Sequence, residues 1–238
     1  EAEEAEEEFP LEDRAPVAGT GVSLRAPRGS DPMPTGSGFV HARRRIQVLV
    51  AEASGPDEVL DGFRHTLTTE GIPEIDPETV TISGREATFG IDRTETGDVE
   101  IERVWVMVRD GDRAMAVVGA YLAERSERYR GLVRASVLSA EWDTTRAIDA
   151  EQATGFAMEV EGLVLDRNAT SPVTYAPAGA AVPPSPADPR LFLLALPVNI
   201  PPADRDDVCE ELLLQAGPVD EDHVATRGEI ETDDLGGC

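Results

Sequence analysis

Apolar and polar positions follow two periods along the first 142 residues, and each period identifies a kind of element. Alternation with period two predicts strands at GVSLRA (21–26) and at residues 80–82 and 87–91. Residues 41–53 predict one long strand, and its nearly continuous apolar run, IQVLV, indicates a strand that is covered on both faces. These segments are typical of a sheet rather than of a helical bundle.

Two helices and one long hairpin complete this pattern. A helix is predicted between Gly55 and Gly71, because a Pro and acidic residues open it and its apolar positions share one face. Residues 99–121 predict a hairpin in which two apolar runs flank an Asp-Gly-Asp turn. The spacing of apolar positions over 123–140 predicts a second helix. The order of elements predicts an α+β domain, an antiparallel β-sheet flanked by helices.

The same order of landmarks starts again after residue 155. GLVLDR (162–167) corresponds to GVSLRA, and RLFLLALPV (190–198) follows RIQVLVAEA (45–53) at an offset of 145 residues. A Pro-containing loop, an amphipathic stretch and a Gly stop follow each apolar run. The sequence therefore predicts a tandem repeat of the α+β domain.

The second copy is incomplete, because Cys238 corresponds to about Thr94 of the first. Its large hairpin and final helix have no counterpart, which would leave sheet edges unpaired. We expect the sequence to be a fragment of a longer chain; the alternative is that the missing strands come from another molecule. The predicted division is an acidic tail or linker (1–16), the first domain (17–142), a linker (143–155) and the N-terminal part of the second domain (156–238).

The charge of the chain restricts its partners. The formal net charge is −26, and all 21 basic residues are Arg. Residues 1–13 carry eight acids and no base, and residues 155–238 carry 16 acids against four Arg. Such a field repels phosphate backbones and anionic lipid head groups, so nucleic acid and membrane surfaces are unfavourable partners. No apolar run reaches the roughly 18–20 residues that a transmembrane helix requires.

No pattern of reactive side chains predicts an enzyme, a cofactor or a metal. The histidines (His41, His65 and His223) occupy unlike contexts, and Cys209 and Cys238 lack the spacing of a zinc site. Metalloprotease, nucleophile-elbow and phosphate-binding motifs are absent from the sequence. The sequence therefore favours a non-enzymatic protein without a cofactor.

One dense basic segment, HARRR at 41–45, stands out in this anionic chain. Along the predicted strand, Arg43 and Arg45 share a face and Arg44 points to the other. Two interpretations stay open: a solvated strand end that pairs with the acidic tail of the chain, or a contact with a carboxylate of a partner.

Residues 21–142 resemble a DcrB-related domain of the PsbP/Mog fold group, and residues 162–235 resemble it more faintly. The segments that carry the resemblance are IQVLVAEASGPDEVLDGF, TVTISGREATF, VWVMVRDGDRAMAVVGAY and ERSERYRGLVRASVLSAEW. Within the group, the chain is most similar to Eag-type chaperones of type VI secretion. The alternative is an envelope-associated PsbP/DcrB-like accessory protein or lipoprotein.

The resemblance to Eag-type chaperones implies a cytoplasmic protein with paired domains, in one chain as a pseudo-dimer or as a dimer. It implies that the protein shields the transmembrane helices of an effector without entering the membrane itself. We expect the apolar strands to form that surface, with Arg43 and Arg45 as candidates for polar contacts. The apolar candidates are Ile46, Val48, Val50, Trp105 and Met107. For each of them the alternative is that it fills the core.

Overall fold

The computed structural model describes most of the first predicted domain and three short segments beyond it. The described residues are 10–33, 36–55, 57, 60–61, 64, 72–96, 99–154, 163–166, 173–177 and 191–193. The predicted histidine and cysteine candidates His65, Cys209, His223 and Cys238 lie outside these residues.

A seven-stranded antiparallel sheet forms the centre of the fold. Its order is β3-β4-β5-β9-β8-β7-β6, so the hairpin strands β8 and β9 lie at the middle. The strands are β3 (Asp31–Pro32), β4 (Gly38–His41), β5 (Ile46–Ser54), β6 (Ile72–Ile82), β7 (Arg85–Thr96), β8 (Val99–Asp110) and β9 (Arg113–Leu122). The predicted hairpin is confirmed, and Gly111 occupies its turn with φ of 61°.

A small second sheet has the order β1-β2-β10, with β1 at Leu11–Pro16, β2 at Val22–Pro27 and β10 at Glu141–Trp142. Two predicted boundaries are therefore wrong. Strand β1 lies inside the stretch assigned to the acidic tail, because it pairs with β2. The stretch assigned to a linker contains the helix α2 (Ala150–Thr154), whose Ala150 and Ala153 are buried.

Helix α1 (Ser126–Leu138) follows a 3-10 turn at Ala123–Arg125 and covers one face of the large sheet. Its buried side chains agree with the predicted apolar positions and are Tyr129, Val133, Ser136 and Val137. They pack against alternate residues of the central strands, and the small sheet supplies Val22 and Leu24 to the same core. This α+β architecture confirms the predicted class for the first domain.

Helix α1 approaches β9 most closely at Gly119. A Cβ atom built on Gly119 would lie 2.1 Å from a methyl carbon of Val133 and 3.2 Å from one of Val137. We expect Gly119→Ala to lower the free energy of unfolding by about 1–3 kcal/mol, because the core cannot absorb the added methyl without moving the helix. Urea denaturation followed by far-UV circular dichroism measures this change.

Gly131 on the same helix provides the control. It is exposed, and a Cβ atom there would meet nothing within 4 Å. Gly131→Ala should raise stability by about 0.5–1 kcal/mol, since it removes only the entropic cost of a helical glycine. A Gly119→Ala protein at least as stable as the unchanged chain would contradict the close packing described above.

Beyond residue 154, three strands form a separate antiparallel sheet in the order β11-β12-β13. They are β11 (Leu163–Asp166), β12 (Val173–Pro177) and β13 (Leu191–Leu193). Strands β11 and β13 lie within the two segments matched to β2 and β5, but they share one sheet, whereas β2 and β5 belong to different sheets. The other landmarks of the second copy lie outside the described residues, so the tandem repeat stays a prediction.

Candidate partner-binding surface

The two faces of the large sheet differ in what covers them. Alternate residues of β5, β8 and β9 point into the core beneath α1, and the residues between them point to the opposite face. The sequence candidates are divided between these faces. Ile46, Val48 and Val50 are 1%, 0% and 2% exposed and belong to the core beneath α1. These three side chains therefore lie in the core of the domain and not on an open surface.

Trp105 and Met107 lie together on the face opposite to α1, two residues apart on β8. In the register of the sheet, Val118 of β9 stands between Trp105 and Leu49 of β5. In the next row, Ala116 stands between Met107 and Ala51. We name these two rows the apolar strip, which consists of Leu49, Ala51, Trp105, Met107, Ala116 and Val118.

The apolar strip combines a buried floor with a half-buried surface. Trp105 and Ala116 are buried, at 6% and 1% exposure, while Leu49, Met107 and Val118 are half-buried. The strip crosses three strands, so it is about 10 Å wide at the usual spacing of strands in a sheet. This width equals the diameter of about one α-helix with its side chains.

A buried ion pair holds the floor of the strip in place. The indole of Trp105 lies against Gly90 of β7, where a Cβ atom would come within 2.3 Å of the ring. Its Nε1–H donates to Oδ2 of Asp92 at 2.9 Å, and Arg103 donates to both oxygens of the same carboxylate at 2.6 and 3.1 Å. Asp92 is only 4% exposed, and its carboxylate is bound by Arg103 on one side and by the indole N–H on the other. These charge-assisted bonds hold the Trp105 ring in place.

The strip has a defined border toward the β8–β9 turn. The described residues of the predicted first helix, Asp57, Leu60, Asp61 and Arg64, are helical. Leu60 is buried against Ala53 and Ala114, the row next to Ala51 and Ala116, and Asp57 pairs with Arg109.

The basic candidates lie at the other end of β5, and their predicted conformation is wrong. Ala42–Arg44 form a 3-10 turn between β4 and β5, and Arg45 adopts a left-handed conformation with φ of 53°. The strand predicted over 41–53 is therefore interrupted, because the β4–β5 hairpin reverses the chain there. Arg43 and Arg45 are both exposed on this turn and do not contribute to the apolar strip.

Two fully buried glutamates, Glu102 and Glu52, lie on the face beneath α1 and are bonded to side chains of other elements. Glu102 accepts hydrogen bonds from Arg130 and Tyr121 and from Arg93 at 3.4 Å. Burial raises the pKa of Glu102, but the bonds from Arg130 and Tyr121 outweigh it and hold that pKa below its ordinary value. Burial and the Glu102 carboxylate raise the pKa of Tyr121.

The second buried glutamate, Glu52, joins distant parts of the chain. Its oxygens accept the N–H of Gly21 at 2.8 Å and the indole N–H of Trp142 at 2.8 Å, and it pairs with Arg113. Within the described part of the chain, no group of three or more His, Cys, Asp or Glu side chains could hold a metal ion. Among the same residues, no helix has the length and apolar character to cross a bilayer.

The sequence alone did not identify Asp92, Arg103, Leu49 and Val118 as parts of this surface. Arg103 and Trp105 do share a face at i and i+2, which is a readable signal. Their partner Asp92 lies on another strand, and only the register between β7 and β8 brings it opposite Arg103.

Comparisons with known proteins give distant structural likenesses only. No family model matches the sequence, and no curated protein matches it. The chain is similar to the solution structure of cyanobacterial PsbP (CyanoP) from Synechocystis sp. PCC 6803, with 14% sequence identity and a TM-score of 0.39. The match covers 52% of this chain and 87% of that one. A TM-score this low does not define the fold, which is defined by the strand order and register of the sheets.

Proposed function

We propose that this chain is a non-enzymatic protein-binding module that covers a hydrophobic segment of a partner with its apolar strip. The observation that carries the proposal is the pairing of half-buried Leu49, Met107 and Val118 with the buried floor of Trp105. Half-buried apolar side chains contribute binding free energy in proportion to the apolar area that a partner removes from water, and a fixed floor lowers the cost of ordering them.

An α-helix is the occupant that fits this surface best. The strip is about as wide as one helix, and its residues come from three adjacent strands rather than from one edge. An amphipathic or fully apolar helix would lay its side chains between Leu49 and Met107, in the manner of helix-in-groove recognition. The floor is already fixed by Asp92 and Arg103, so little further ordering would be required.

The finer proposal follows from the resemblance to Eag-type chaperones. The partner would be a type VI secretion effector whose transmembrane helices must be kept from aggregating before export. The protein would then act in the cytoplasm. Residues 156–238 lack a counterpart of the β8–β9 hairpin that carries most of the apolar strip, so a second surface would come from a second copy of this chain in a dimer.

Co-expression with an effector that carries N-terminal transmembrane helices tests the proposal. We expect the effector to stay soluble and to co-purify with this protein. Val118→Asp should lower the recovered effector at least about tenfold, because a charge in the contact must lose its water. Val99→Asp, the same change at a position of β8 that is 44% exposed, should leave recovery unchanged.

Two results would contradict the proposal. One is an effector that is equally soluble without this protein. The other is a folded Val118→Asp protein that retains the effector as well as Val99→Asp does. Fractionation of cells decides the alternative: an envelope-associated accessory protein would be recovered with the envelope and would not co-purify with the effector.

A further inference from the structure

The turn at Arg28–Ser30 and the turn at Ala42–Arg45 lie side by side at one corner of the large sheet. Strand β3 pairs with β4 through Asp31 and Val40, so the same register continued brings Ser30 opposite His41. A Cβ atom built on Gly29 would lie 3.5 Å from Nε2 of His41, which confirms the proximity of the two turns. We name the exposed residues Arg28, Arg43 and Arg45 the basic corner.

The basic corner carries three arginines that make no ion pair with the described residues, although Glu12 and Asp31 lie near it. Some exposed arginines elsewhere in the described residues have acidic partners: Arg109 pairs with Asp57, and Arg134 pairs with Glu78. No side chain of the basic corner makes an ion pair within the described part of the chain, although the whole chain carries a net charge of −26. Clustered arginines without ion pairs attract carboxylates.

The acidic N-terminal segment leads directly into this corner. The carbonyl of Pro10 accepts the N–H of Arg28 at 3.0 Å, and Leu11 stands opposite Pro27 in the β1–β2 pair. Glu12 already uses its side chain in the corner, because its Oε1 accepts the N–H of Gly29 at 3.0 Å. Residues 1–8 contain six glutamates and no base.

The reach of residues 1–8 is sufficient for the contact. An extended chain spans up to about 3.5 Å per residue, so eight residues reach roughly 28 Å. The turn that carries Arg43 and Arg45 is next to the turn that carries Arg28, where the segment begins. The covalent link also holds the glutamates near the basic corner at an effective concentration on the order of millimolar.

We propose that the basic corner binds the acidic segment of residues 1–8 of the same chain through ion pairs between glutamates and Arg28, Arg43 and Arg45. Each exposed ion pair is weak and is screened by salt, so the contact is a set of exchanging pairs. The bound segment neutralises the corner, and an acidic segment of another protein binds there only by displacing it.

Paramagnetic relaxation measures this contact directly. A nitroxide is attached at Ala2→Cys in a chain in which Cys209 and Cys238 are replaced by Ser. At low ionic strength we expect the amide signals of residues 43–45 to lose at least about half of their intensity. In about 1 M salt, where the Debye length is about 3 Å, the signals should recover.

A matched variant separates ion pairing from covalent proximity. Replacing all six glutamates of residues 1–8 with Gln keeps the length of the segment and removes the negative charge of its side chains. The signals of residues 43–45 should then lose clearly less intensity at low salt than they do with the Glu segment. Replacing both Arg43 and Arg45 with Gln should reduce the loss at the neighbouring amides in the same way. Equal broadening with the Gln segment, or no broadening at low salt, would overturn the proposal.

Discussion

Glu52→Gln is expected to lower the free energy of unfolding by about 3–5 kcal/mol, a large share of the roughly 5–15 kcal/mol of a typical domain. Glu52 is fully buried and accepts from three donors, the N–H of Gly21, the indole N–H of Trp142 and the guanidinium of Arg113. A Gln side chain has one acceptor oxygen, so a buried donor would lose its partner and Arg113 would lose its counter-ion.

The cost is large because Glu52 connects the large sheet to the small sheet of β1, β2 and β10. It lies on β5 of the large sheet, whereas Trp142 lies on β10 of the small one. Arg113 continues the connection by donating to the carbonyl oxygens of Thr144 and Arg146, and its side chain is only 15% exposed. We therefore expect Glu52→Gln to loosen the small sheet first, before the large sheet unfolds.

Urea denaturation gives the loss of stability, and hydrogen exchange shows where it occurs. Amides of β2 and β10 should lose protection in Glu52→Gln more than amides of β8. Glu141→Gln is the control, because Glu141 is 62% exposed and its pair with Arg14 contributes about 0–1 kcal/mol. A Glu52→Gln protein within about 1 kcal/mol of Glu141→Gln would show that Glu52 does not join the sheets.

Glu102→Gln is expected to lower the free energy of unfolding by about 3 kcal/mol at neutral pH. Glu102 is fully buried and bonded to Arg130 and Tyr121, so its neutral replacement leaves Arg130 without a counter-ion at the same position. The estimate is at the low end for a buried pair, because the side chain of Arg130 is 39% exposed and water screens it.

The effect of Glu102→Gln should also depend on pH. The pKa of Glu102 in the folded protein lies below its ordinary value, so the carboxylate stabilises the fold at every pH above the unfolded pKa of about 4.3. As the pH falls below that value toward the folded pKa, the unfolded chain binds a proton first and the contribution is lost. The difference between the two proteins should therefore be constant above about pH 5.5 and shrink in acid.

Chemical denaturation at several pH values measures this difference. Glu100→Gln on the same strand is the control, because Glu100 is 49% exposed and lies 3.5 Å from Arg93. That variant should stay within about 1 kcal/mol of the unchanged chain at neutral pH. A loss for Glu102→Gln that is the same at pH 3.5 and pH 7 would contradict the role assigned to its charge.

The elements of the first domain were largely predictable, since each depends on local pattern. The two apolar runs on either side of the Asp-Gly-Asp turn identified β8 and β9, and the apolar spacing over 123–140 identified α1. The prediction was wrong at residues 42–45, because three consecutive Arg fit an extended strand as well as a turn. Only the pairing of β4 with β5 requires the chain to reverse at this point.

The candidate surface depended on information that a local pattern does not contain. A buried strand reads as apolar on both faces, so nothing in IQVLV distinguishes Val48, which lies under α1, from Leu49, which lies on the apolar strip. That difference arises when α1 packs against one face of the sheet. Asp92 likewise became part of the surface only through the register of β7 with β8.

The sequence by itself determined which segments become strands or helices and where the charge lies, because periodicity and composition are properties of neighbouring residues. The tertiary structure decided which face of each strand is covered, which carboxylates are buried with Arg partners and which turns meet at the basic corner. Those outcomes depend on strand order and register, which bring together residues such as Glu52 and Trp142 that are 90 positions apart in the chain.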